Sequence, residues 1–160
     1  MIPLFLGLTI ANLTALLATV ALGYLAVAGS ATLRGWHMLG GTLAAILCIA
    51  VHCIVFTYFI ATAKWIQHAV TVKGLDATYA TPTRSFKALA FPAALIAMLA
   101  VFVTAIFGAA ADTRVLGTIW HHLMALAAIG INLFAAAVEY TAIQRNSRLI
   151  DRILAEIPSS

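Results

Sequence analysis

The chain has 160 residues, 64% of them hydrophobic and only 9% charged, with a formal net charge of +4 and a mean hydropathy of +1.06. A soluble domain carries nearer ~25% charged residues, which excludes an ordinary water-soluble core. Nine basic residues scattered along the whole length are too sparse for a nucleic-acid surface. At ~20 apolar residues per span, four membrane spans and their connections account for the length.

Ile2 to about residue 28 is an apolar run interrupted only by threonines, glycines and Asn12. It lacks the basic start of a signal peptide and far exceeds the length of its hydrophobic core, so it is read as a first span (2–28). A short turn, Gly29-Ser30-Ala31-Thr32, leads to Arg34. The second span (36–63) opens at Trp36. Beyond Lys64 its helical period continues through Trp65, Ile66, Ala69 and Val70, and Gly74 provides the stop. Thr81-Pro82 reads as an N-cap followed by proline at the first helical position. The third span covers 86–111, and Asp112-Thr113-Arg114 make a tight connection to the fourth, 116–144. From 145 to 157 the helical period persists as an amphipathic C-terminal helix or a continuation of the fourth span. Its stripe of Leu149, Ile150, Ile153, Leu154 and Ile157 faces headgroups or a partner, so removing everything after Gln144 is expected to leave the four spans intact.

Cys48 and Cys53 are the only cysteines; five residues apart on one helix, they point in different directions and cannot pair. Nothing resembles a CxxC motif, a phosphate loop or a nucleophile–base set, so an electron-transfer or accessory subunit is expected rather than a stand-alone enzyme. Lys64, Lys73, Arg84, Lys87, Arg145, Arg148 and Arg152 fall on the side of both termini, and only Arg34 and Arg114 on the other. This asymmetry places both termini in the cytoplasm of a bacterial inner membrane. The expected fold is all-α, an antiparallel four-helix bundle in the bilayer. Two similar helix pairs build it, and helices two and four overrun the cytoplasmic face.

Within that frame two stretches echo one another. Leu33-Arg34-Gly35-Trp36-His37-Met38-Leu39 opens the second span, and Thr118-Ile119-Trp120-His121-His122-Leu123-Met124 opens the fourth. Ionisable side chains inside a membrane segment are costly and default to a functional reading. Helices two and four run parallel, so His37 and His121 reach similar depths near the periplasmic face and could ligate one haem iron from both sides. Gly40 and Gly41 clear space one turn on, Arg34 and Arg114 stand where propionates would need partners, and Trp36 and Trp120 pack on the ring's rim or in the aromatic belt.

In these features the chain resembles the membrane-embedded b-type cytochromes, in particular the four-helix haem-carrying anchor subunits of respiratory complexes. The resemblance implies one haem b, with His37 as one axial ligand and His121 or His122 as the other. It also implies electron exchange with other redox subunits or with quinone. His121, like His37, directly follows a tryptophan, which favours it over His122; adjacent histidines point ~100° apart on a helix, which weighs against a three-imidazole copper or zinc site. His52 follows His37 by fifteen residues, but Ala135, Ala136 and Ala137 stand where a second haem would need its other ligand. His52 and Glu139 are instead candidates for a proton path or quinone contact, against a plainer role in helix–helix hydrogen bonding. The competing reading is an accessory subunit that binds lipid and neighbouring subunits and carries no cofactor, or only a pigment.

Overall fold

A computed structural model describes residues 1–27, 29 and 31–157. Four helices, each long and apolar enough to cross a membrane, account for nearly all of them. They are α1 (Ile2–Val27), α2 (Ala31–Lys73), α3 (Pro82–Asp112) and α4 (Thr118–Glu156). The expected first turn includes residues 28 and 30, which lie outside the described residues. At 1.5 Å per residue α2 and α4 are about 65 and 58 Å long, roughly twice the thickness of a hydrocarbon core.

Each helix ends for a local reason. Gly74 takes a left-handed conformation (φ 65°), and the Leu75 N–H donates to the Val70 carbonyl at 3.1 Å, closing α2 with the Schellman arrangement that its glycine suggested. Asp76 then accepts from the Thr78 N–H at 2.8 Å, a bond that holds its carboxyl below the usual carboxylate range. A short 3-10 turn at Ala77–Ala80 runs directly into α3. Pro82 starts α3 as expected, but Thr81 already has helical dihedrals and its hydroxyl caps nothing, because the 3-10 turn delivers the chain in helical conformation. Between α3 and α4, Arg114 occupies the left-handed region (φ 59°), which costs a non-glycine residue about 1 kcal/mol.

Around the bundle α1 packs on α2, α2 on α3, α3 on α4 and α4 on α1, which leaves α2 and α4 facing across a diagonal. Small residues make the closest contacts: Ala93 and Ala97 of α3 are buried against Ala135 of α4. The large side chains do the opposite, and Ile10, Ile46, Leu99, Phe102, Leu126 and Phe134 all point outward. Such a surface is compatible with contact to a lipid bilayer, in which helices associate through small residues.

The end of the bundle holding the C-terminal turns of α2 is built differently. There Phe5, Phe59, Ile66, Val70, Phe86, Ile143, Leu149 and Ile153 form a core of large side chains. The segment 145–156 continues the fourth helix, one of the two readings its helical period allowed. Its Leu149 and Ile153 dock on the chain's own α2 and α3 while Leu154 turns outward. The stripe packs against the C-terminal turns of α2.

Truncation after Gln144 is therefore expected to destabilise the bundle rather than spare it. Ile153→Ala alone should lower unfolding free energy by about 2–5 kcal/mol, the range for emptying a packed aliphatic site. Leu154→Ala, on the outer face, should change it by less than about 0.5 kcal/mol. Denaturant unfolding of the two variants in one detergent distinguishes them.

Candidate functional site

His37 on α2 and His121 on α4 meet across the diagonal, with ring centroids 6.0 Å apart and planes at 76°. Each is held from behind by the helix before it. The Nδ1 of His37 lies 2.9 Å from the Thr19 carbonyl of α1, and the Nδ1 of His121 lies 3.1 Å from the Thr104 carbonyl of α3. A carbonyl can only accept, so each Nδ1 carries the proton and each Nε2 keeps its lone pair. That is the tautomer a metal-ligating histidine needs, fixed by an outer partner.

One turn beyond each threonine stands a glycine. A Cβ on Gly23 would come within 2.9 Å of His37 Cε1, and one on Gly108 within 3.0 Å of His121 Cε1. Neither imidazole could occupy its seat beside a larger residue. The seat therefore occurs twice, as Thr19-Val20-Ala21-Leu22-Gly23 and Thr104-Ala105-Ile106-Phe107-Gly108. These segments are 85 residues apart, against 84 for the histidines.

The two rings border a cavity of about 750 Å³, whose walls include Gly23, Gly41, Gly108 and Ala125. This is within the size range of cofactor sites. Arg34 lines it; Arg114 is not among its walls. Gly41 faces the cavity, whereas a side chain on Gly40 would meet Thr19 and Leu22 of α1, so Gly40 serves helix packing. Trp36 and Trp120 are 57% and 54% exposed and turn outward, since each is about 100° around its helix from the inward histidine. His122 packs on Tyr24 of α1 at 5.1 Å between centroids and forms part of the cavity wall. Among the described residues no three His, Cys, Asp or Glu side chains converge as a copper or zinc site would require.

Further along the same diagonal lies a buried polar cluster. Asn132 donates to the Ala128 carbonyl at 2.9 Å, which fixes its amide so that Oδ1 faces inward as an acceptor. That oxygen receives Asn12 Nδ2 at 3.3 Å, Cys48 Sγ at 3.3 Å and His52 Nε2 at 3.4 Å. The other nitrogen of His52 lies 2.7 Å from Glu139 Oε1. His52 thus faces Glu139. Nearer the C-terminal end of α2, Asn146 donates to Tyr58 and to Thr62, each at 3.0 Å.

The Thr-to-Gly seats were missed in reading the sequence. The acceptors are backbone carbonyls, which carry no residue identity, and the only visible signal was the TxxxG spacing repeated 85 residues on, one more than the histidine interval. Compared with known proteins, the chain matches no family model, no curated protein and no solved structure.

Removing one member of a buried pair strands the other, at a cost of about 3–5 kcal/mol, whereas replacing both with apolar residues is often neutral. Glu139→Leu should accordingly lower stability by several kcal/mol, and the Glu139→Leu/His52→Leu double variant should recover much of it. Denaturant unfolding of the four members of this cycle is the measurement.

Proposed function

We propose that the chain is a membrane-embedded b-type cytochrome subunit carrying one haem between His37 and His121, and that it passes electrons within a larger redox complex or to and from quinone. The observation that carries this reading is the 6.0 Å separation of two imidazoles, each with Nδ1 tied back to a backbone carbonyl. His37 and His121 would hold the haem iron, each through an Nε2 that keeps its lone pair. The paired glycines supply the cradle, and the cavity supplies the volume.

Bound there, a haem supplies reversible one-electron chemistry, and ligation from both sides suits electron transfer rather than oxygen binding. The protein's part is to hold both rings in one tautomer, to keep water from the site with apolar walls such as Leu16, Val101 and Ile129, and to present Arg34 to anionic groups of the ligand. With no extramembrane domain among the described residues, electrons would enter and leave through partner subunits or a lipid-soluble carrier.

The remaining placement follows from charge and length. Seven basic residues lie at the end with both termini and two at the other, which supports an orientation with the termini in the cytoplasm and the histidines near the periplasmic face of a bacterial inner membrane. On this reading α1–α2 and α3–α4 are two similar pairs, and the overruns of α2 and α4 stand in the cytoplasm.

Purified protein should be red, with one haem per chain and the spectrum of six-coordinate low-spin iron. His37→Leu and His121→Leu should each abolish that spectrum, and Gly108→Val should lower haem occupancy by about tenfold or more through displacement of His121. His122→Leu should leave it largely unchanged. Protein without a haem band and without iron on elemental analysis would end this reading.

A further inference from the structure

The cluster around His52 holds a proton whose position can be counted. Asn132 Oδ1 is an acceptor because its amide nitrogen is committed to Ala128. His52 Nε2 must then carry hydrogen to contact it, which leaves Nδ1 facing a carboxyl oxygen at 2.7 Å. Two bare lone pairs at that distance would repel, so one proton lies between them. It belongs either to an imidazolium beside a carboxylate or to an imidazole beside a carboxylic acid. His52 is 2% and Glu139 1% exposed, and the hydrogen bonds that helix association requires are already made by Asn12, Cys48 and Asn132. An ionisable pair is more than packing needs.

Apolar side chains flank the pair at both ends of the diagonal, and on the side away from the histidine cavity these are the fully buried Val55, Ala142 and Ile143. Toward the histidine cavity lies an apolar layer of Leu16, Ala44, Ala100, Val101 and Ala128. Beyond the layer on the other side, polar groups follow along the same diagonal: Tyr58, Thr62 and Asn146, hydrogen-bonded to one another. They begin six to seven residues from the pair, about 10 Å along the helices. No other ionisable group faces the pair except the thiol of Cys48. α1 offers Asn12, whose Oδ1 is buried without a partner, and Thr9, likewise unpartnered at Oγ1. The only titratable side chain of α1, Tyr24, lies three turns away. α3 packs alongside with alanines, and its Arg84, Lys87 and Asp112 stand in its end turns.

We infer that His52 and Glu139 form a proton-exchange site that takes up one proton as one electron enters the His37–His121 site. This rests on the haem reading above. The electron comes from an external one-electron donor and adds one negative charge within the low-dielectric bundle, about 22 Å along α2 from His52, where salt does not screen it. The proton comes from water and converts the one-proton pair into an imidazolium beside a carboxylic acid. Net charge is unchanged, and no bond other than that to the added proton forms or breaks. The orphaned Asn12 oxygen stands ready to accept from a water in the cluster.

The test uses the full chain in lipid nanodiscs, with dithionite as reductant. Wild type should show a midpoint potential that falls as pH rises, because protonation favours the reduced state. Its reduced-minus-oxidised infrared spectrum should contain a carboxyl C=O band. Glu139→Gln, whose amide can still donate to His52, should lose both the band and the pH slope while keeping the visible spectrum. Glu139→Asp should retain the slope, which a purely structural role would not predict. Should Glu139→Gln fail to fold, His52→Gln is expected to flatten the slope in the same way. A wild-type potential independent of pH, or a slope unchanged in these variants, overturns the coupling. If no haem is bound, the visible spectrum shows that the earlier reading has failed, and the coupling falls with it. A carboxyl band titrated against pH without any reductant then still reports on the pair itself: a band that ignores pH overturns proton exchange as well.

Discussion

A polar atom inside a bundle that faces lipid has no water to turn to, and this requirement for internal satisfaction organises the molecule. It is met almost entirely along the diagonal between α2 and α4. His37 and His121, Cys48 and Asn132, His52 and Glu139, and Tyr58 and Thr62 with Asn146 succeed one another from end to end. α1 and α3 act as buttresses, and what they give to the histidines is backbone: two carbonyls and two missing side chains. The rest of the interior can then be alanine, because the polar pairs already specify which helix faces which.

Packing follows the same division of labour. Mid-bundle, close approach of Ala93, Ala97 and Ala135 lets dispersion hold helices together where there is no water to expel. At the C-terminal turns of α2, Phe86, Ile66, Leu149 and Ile153 bury large surfaces in the manner of a soluble core. One chain therefore uses two modes of helix association.

Much of this was legible beforehand. Four apolar runs, the glycine that stops α2, the proline that starts α3 and the two histidines at matching places follow from hydropathy and local stereochemistry, which act within a few residues. The outward turn of Trp36 and Trp120 was available from the same arithmetic that turns His122 away from His121, since neighbours on a helix diverge by about 100°. The docking of Leu149 and Ile153 was not, because an apolar stripe states that it needs a cover and not which surface supplies it. Nor were the carbonyl seats of Thr19 and Thr104 visible, since any residue type offers a carbonyl. The glycines Gly23 and Gly108 were the trace they left.

His37 to His121, Cys48 to Asn132 and Thr62 to Asn146 all differ by 84 positions, so α2 and α4 stay in step over seven turns. A slip of either helix by one residue would move each partner about 1.5 Å along and 100° around the axis, and every rung would part at once. The diagonal consequently has no intermediate settings. It behaves as a ratchet with a single tooth engaged, and a ligand seated between the first pair reads the alignment of all those below it.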